Sequence, residues 1–66
     1  MFRLYDTVKL RKPTEIIHAD YIGAIIDVLN NGEAYTVEFI DNNGETIDDS
    51  LFCEFTEDEL ILFNAE

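Results

Sequence analysis

The sequence predicts an all-β fold, a small five-stranded barrel with one helical turn before the last strand, and three observations predict it. Apolar and polar residues alternate with a period of two across Thr7–Arg11 and again across Ala34–Ile40, the pattern of half-buried strands. Two turn signals, Asn31-Gly32 and Asp41-Asn42-Asn43-Gly44, adjoin such runs. Asn-Gly suits a hairpin because both residues tolerate the positive φ of a type I′ turn. Thr56-Glu57-Asp58-Glu59 has capping-box spacing directly ahead of the apolar run Leu60-Ile61-Leu62-Phe63, which predicts a helical turn leading into a strand.

Each element follows in order. The first strand, Asp6–Arg11, places Val8 and Leu10 on one face and Thr7, Lys9 and Arg11 on the other. Lys12-Pro13 ends it, because proline lacks the N–H a ladder needs. Residues 14–21 connect to the second strand, with a helical turn expected around Glu15–His18. In Ile22–Leu29 the core candidates Ile25 and Val28 stand three apart rather than two, which predicts a bulge or sharp bend between them. Tyr35, Val37 and Phe39 form the inner face of the third strand. Glu45–Phe55 is the expected fourth strand, kinked at Asp48-Asp49-Ser50, and Leu60–Phe63 is the fifth. This order, with the 13–21 segment as a long loop after the first strand, matches an SH3-like barrel; an OB-fold, which needs a longer chain and a full helix, is the runner-up.

Sixty-six residues make a single domain, 1–66, with a modest stability margin. A hydrophobic content of 47% with eight aromatics exceeds that of an acidic disordered tail. One cysteine cannot form an internal disulfide, which fits a reducing compartment. With neither an apolar signal region nor a run near 18 apolar residues, a cytoplasmic location away from membranes is expected. Charge is the unusual property. All four basic residues, Arg3, Lys9, Arg11 and Lys12, lie in the first twelve positions, and the fourteen acids from Pro13 to Glu66 have no Lys or Arg among them. Such a field repels nucleic acid and anionic membranes and attracts basic proteins.

Tyr5-Asp-Thr-Val-Lys-Leu10, Ile22-Gly-Ala-Ile-Ile-Asp-Val28, Tyr35-Thr-Val-Glu-Phe-Ile-Asp41 with Gly44, and Phe55-Thr-Glu-Asp-Glu-Leu60 together resemble a family of small acidic bacterial proteins classed as a domain of unknown function. Its pattern is YDxVxL, GxVVxV, YxVEFxDxxG and a closing LxxxxL. The likeness runs from about residue 5 to 62 and implies the barrel, with toxin–immunity gene pairs as a context. Its motifs are fold-determining rather than catalytic. The chain departs from the pattern at Asp20, where the family has glycine, and at residues 46–52, a local extension. Leu4-Tyr5-Asp6 also resembles the SH3 peptide-binding signature, but that function needs a tryptophan-lined groove and the chain has no tryptophan. Gly23, Ile25 and Val28 echo the glycine turn of ribosomal and transcription-factor barrels, whose RNA-binding loops are basic where these are acidic.

Catalytic and metal chemistry finds little support. His18 and Cys53 are the sole histidine and cysteine, too few for a zinc site; His18 reads as a loop residue and Cys53 as a small core hydrophobe on the fourth strand. Neither a Cys53–His18 pair nor Ser50 with His18 is framed by a nucleophile motif. A calcium loop turning at Gly44 would need an oxygen ligand where Phe39 stands; one turning at Gly32 would place Leu29 at its third ligand position. No metal, no cofactor and no enzymatic activity are expected.

What remains is binding. The reading is an acidic protein that neutralises a basic partner, an immunity protein or antitoxin against a nuclease toxin whose cleft is cationic to hold phosphates. Asp48, Asp49, Glu54, Glu57, Asp58 and Glu59 are the first candidates for contact, followed by Glu33 and Asp41 at the hairpin tips. Tyr21 and Phe52 are candidate aromatic anchors, since neither fits the core alternation cleanly, although both also suit a core. The alternatives are a phage-type nucleic-acid mimic that inhibits a defence protein, a structural accessory subunit, and an acidic surface that only solubilises. Mixing the protein at sub-micromolar concentration with random-sequence DNA or RNA at physiological salt gives no shifted band in a gel, because the acidic stretch imposes a repulsive term on any polyanion; a retarded complex would contradict this.

Overall fold

The computed structural model describes residues 1–63. The chain forms an all-β domain on one antiparallel sheet of four strands in the order β3-β2-β1-β4, where β1 is Thr7–Leu10, β2 Ile22–Leu29, β3 Ala34–Ile40 and β4 Leu60–Leu62. Three short 3-10 segments, Asn30–Gly32, Asp48–Phe52 and Glu57–Glu59, complete the regular structure.

Period-two alternation translates directly into burial. Val8 and Leu10 of β1, and Tyr35, Val37 and Phe39 of β3, are buried, and with Ile17, Ile25, Phe55 and Leu60 they make the core. Each large apolar side chain removed from water contributes roughly 1.5–3 kcal/mol, so this one face accounts for most of the favourable burial. The expected bulge is present: Ile25 pairs with Val37 and Asp27 with Thr36, leaving Ile26 as the extra residue, exposed at 39%. Tight sheet packing also fixes Gly23, because a Cβ there would stand 2.6 Å from Val37 Cγ1 and 2.9 Å from Phe39 Cδ1.

The β2–β3 hairpin turns at the Asn-Gly signal, but through the four residues 30–33 between the paired Leu29 and Ala34 rather than a two-residue type I′ turn. Asn31 has φ 60° and Gly32 φ 101°, and Asn30 also has a positive φ, 49°. The Glu33 N–H reaches the Asn30 carbonyl at 3.4 Å and lies nearer the Leu29 carbonyl, at 3.1 Å. At Asp41 the turn is built by a side chain: its Oδ1 accepts from the N–H groups of Asn43 (2.9 Å) and Glu45 (3.0 Å). Before the last strand, Glu59 Oε1 accepts from the Thr56 N–H at 2.8 Å and its hydroxyl at 3.2 Å, giving the expected turn over Glu57–Glu59.

Three further expectations need correction. The expected fourth strand is missing, so the sheet has four strands rather than the five of the expected barrel: Glu45–Phe55 makes two single bridges, Ile40 with Thr46 and Tyr35 with Phe55, around the 3-10 helix Asp48–Phe52. Asp, Asp and Ser favour local backbone hydrogen bonding over a ladder, and that preference prevails here. Cys53 is consequently exposed rather than core, since strand alternation does not govern it. No helical turn forms at Glu15–His18; Thr14 Oγ1 instead accepts from the N–H groups of Ile16 (3.2 Å) and Ile17 (2.9 Å), a bend that drops Ile17 into the core at 4% exposure.

The segment that replaces the strand is fastened to β3 by Ser50, the one buried polar residue among the described residues. Its hydroxyl oxygen accepts from the Phe39 N–H at 3.2 Å, and its proton lies between the carbonyls of Ile47 (2.8 Å) and Val37 (3.0 Å). The Ile47 N–H donates to the Phe39 carbonyl at 2.8 Å. Replacing Ser50 with Ala leaves the Phe39 N–H and Val37 carbonyl without this buried partner. Ser50→Ala lowers stability by about 2–3 kcal/mol, read as a reduced urea midpoint at unchanged slope; a loss below about 0.5 kcal/mol, the range of neutral surface changes, would contradict the assignment.

Candidate functional site

The acids that follow one another in sequence separate into two groups in space. In a 3-10 helix residues three apart eclipse one another. Ile47 and Ser50 therefore face β3 together, while Asp49 and Phe52 share one outer edge and Asp48 and Leu51 another. Phe52 is 86% exposed, the most exposed of the large hydrophobic side chains among the described residues. Asp48, Asp49 and Glu54 are exposed beside it in sequence, and among the described residues none of the three takes part in an ion pair. A bulky aromatic thus projects into solvent from a segment whose backbone is pinned by a buried hydroxyl.

Glu57, Asp58 and Glu59 occupy a different setting. β4 pairs with β1 through Leu10–Leu60 and Lys9–Ile61, which carries the basic end of β1 to the 57–59 turn. The Arg11 N–H donates to the Glu59 carbonyl at 2.8 Å and Arg11 Nε to the Asp58 carbonyl at 3.0 Å. Arg11 and Lys12 share an open cleft of about 260 Å³ with Asp58 and Glu59, and Glu57 is 3.3 Å from the amino group of Met1. The one ion pair among the described residues, Met1 with Glu57, is exposed and adds little to stability, yet these neighbours mix the signs of charge where the local sequence shows only acids.

The remaining candidates divide between exposed and structural positions. Glu33 is exposed at the hairpin tip. Asp41 is only half-exposed and spends one carboxylate oxygen on its own turn. Tyr21 is packed against the core and stacked on His18, with ring centroids 4.7 Å apart; it is part of the domain's body, whereas Phe52 projects. Sequence reasoning missed Tyr5, which is 78% exposed with φ 71°, a conformation unusual for a bulky residue. Its N–H donates to the Ile25 carbonyl at 2.7 Å, next to the β2 bulge. Sequence reasoning also missed Ile16, exposed at 51% beside the 3-10 helix; the neighbouring Thr14, a ready acceptor for local N–H groups, was the available signal.

Among the described residues, no group of three His, Cys, Asp or Glu side chains is arranged to hold a metal ion, and no helix is long and apolar enough to cross a membrane. The fold and the projecting segment define a small all-β domain with its most exposed aromatic set among acids. A family described as a domain of unknown function, DUF4926, matches residues 4–61, and the chain belongs to that family. No curated protein and no solved structure matches it significantly.

Phe52 makes no contribution to the core, so its removal tests exposure directly. Phe52→Ala leaves the thermal and urea unfolding midpoints within the range of about 0.5 kcal/mol typical of surface changes. A loss of about 3 kcal/mol, the cost of emptying a core aromatic site, would show that the ring is buried.

Proposed function

We propose that this chain is a non-enzymatic binding protein that neutralises a basic protein partner through Asp48, Asp49, Phe52 and Glu54, and that the partner is a nuclease toxin, the chain serving as its immunity protein or antitoxin. The observation that carries the reading is the 86% exposure of Phe52 on a pinned segment. Aromatic anchors surrounded by polar groups dominate protein interfaces, and an anchor held in place before binding loses less entropy on docking. The three acids around it supply charge complementarity, and the net charge of −11 steers encounter with a cationic surface. The segment also coincides with residues 46–52, where the sequence extends beyond the pattern it resembles. Nucleic-acid mimicry is less well supported, because Arg11 and Lys12 interrupt the acidic surface at Asp58 and Glu59. In the same reading the fold is an SH3-like barrel with its fourth strand reduced to the two bridges at Thr46 and Phe55.

Affinity capture from the native host, followed by inhibition assays on the captured protein, tests this. The native chain retains a basic nuclease and inhibits it stoichiometrically. Its association rate constant falls about tenfold or more as salt rises, while dissociation changes little. Asp48→Lys with Asp49→Lys weakens the complex more than Glu57→Lys with Asp58→Lys, because the Met1 amino group stands beside Glu57 and Arg11 and Lys12 beside Asp58. Phe52→Ala accelerates dissociation. A captured partner without nuclease activity would end the toxin assignment, and a salt-independent association rate would end the acidic-docking reading.

A further inference from the structure

The tetrapeptide Asn-Asn-Gly-Glu occurs twice in the chain, at residues 30–33 and 42–45, and the fold treats the two copies differently. Each contains an Asn-Gly pair, which carries a chemistry of its own. The glycine nitrogen, unhindered because its residue has no Cβ, attacks the Cγ carbonyl carbon of the asparagine side chain. The N–Cγ bond forms and the Cγ–Nδ2 bond breaks. Ammonia leaves, carrying the proton of the glycine N–H, and a five-membered imide remains. Water then opens the ring at either carbonyl, giving aspartate or isoaspartate. No electrons change hands, and water is the one co-reactant. We infer that Asn43 is a site of spontaneous deamidation in the native protein and that the fold protects Asn31. This modification is independent of the binding reading above.

Ring closure swings the glycine peptide out of its turn, so the cost of that swing sets the rate. At the first copy it meets paired strands and a packed neighbour. Residues 30–33 join β2 to β3, the two longest strands, directly between the pair Leu29–Ala34. The Glu33 N–H donates to the Leu29 carbonyl at 3.1 Å. Gly32 is half-buried, and Met1 lies so close that a Cβ there would stand 2.6 Å from its Sδ. The second copy leads from β3 into the segment that forms no strand, and Ile40–Thr46 is a single bridge. Residues 42–45 are exposed, and a Cβ at Gly44 would meet nothing within 4 Å. Freeing the Gly44 N–H breaks one turn bond, to the Asp41 carbonyl at 3.0 Å. An exposed turn held by its own short-range bonds opens at far lower cost than a paired core hairpin.

The product matters to the turn itself. Isoaspartate routes the main chain through Cβ and Cγ, inside the span where Asp41 Oδ1 holds the N–H groups of Asn43 and Glu45. Either product also adds a carboxylate beside Asp41 and Glu45.

The repeated tetrapeptide supplies its own control. The experiment is incubation of the protein at mildly alkaline pH, native and in urea, with digestion and mass spectrometry reading conversion at each copy. In urea the two copies convert at similar rates, because the reacting residues and their immediate neighbours are the same. In the native protein position 43 converts at least about tenfold faster than position 31. Asn43→Gln, whose longer side chain would have to close a larger ring, removes the fast acidic form seen on isoelectric focusing. Native conversion at position 31 that equals or exceeds that at position 43 would overturn the inference. So would a native position 43 that stays intact while both copies convert in urea, or a fast acidic form that persists in Asn43→Gln.

Discussion

The Ser50 hydroxyl on the edge of β3 is the contact on which the rest of this structure depends. An uncovered edge strand offers unpaired N–H and C=O groups to any passing strand. Here β3 is shielded in sections: Phe55 exchanges hydrogen bonds with Tyr35 at 2.7 and 2.9 Å, Ser50 serves Phe39 and Val37, and Ile47 reaches the Phe39 carbonyl. A side chain does there what a fifth strand's backbone would otherwise do. Because one hydroxyl meets several β3 groups at a single point, the backbone on either side can coil tightly. That coil turns Asp48, Asp49, Leu51 and Phe52 outward. The same contact that protects the edge therefore creates the projecting face.

The charge pattern shows how far sequence order and spatial order can diverge. The basic residues cluster at the start and the acids follow without interruption, yet antiparallel pairing of β1 with β4 lays Arg11 against Asp58 and Glu59. Lys9 stands 4.4 Å over the Phe63 ring. The fold thereby brings Arg11 and Lys12 beside Asp58 and Glu59 at one end of the sheet.

Legibility of the sequence followed the physics of each part. Val8, Leu10, Tyr35, Val37 and Phe39 were readable as core because a strand's period of two fixes which side chains face inward. The β2 bulge was readable because Ile25 and Val28 break that period. Asn31-Gly32 was readable because its backbone chemistry is local. The 45–55 segment was not: Phe52 and Phe55 look alike in sequence, and only the competition between a ladder and Ser50's local bonds decides which is buried. The same competition misplaced Cys53. For the candidate site, Asp48, Asp49 and Glu54 were legible as acids of a turn, whereas Phe52 suited a core as well as an anchor, and their separation from Glu57–Glu59 depends on long-range pairing with β1, which no local pattern carries.

Native-state hydrogen exchange tests the central claim, that the 47–55 segment is held on β3 as a fixed platform. If it is, the amides of Phe39, Ile47, Tyr35 and Phe55 exchange only through openings close in free energy to global unfolding, as core ladder groups do. In Ser50→Ala the Phe39 and Ile47 amides lose that protection, while Val8 and Leu10 in the centre of the sheet keep theirs relative to the variant's own global limit. Phe39 and Ile47 amides that exchange at loop rates in the native protein would contradict the account, because Phe52 would then be carried on a detached segment rather than on a fixed face.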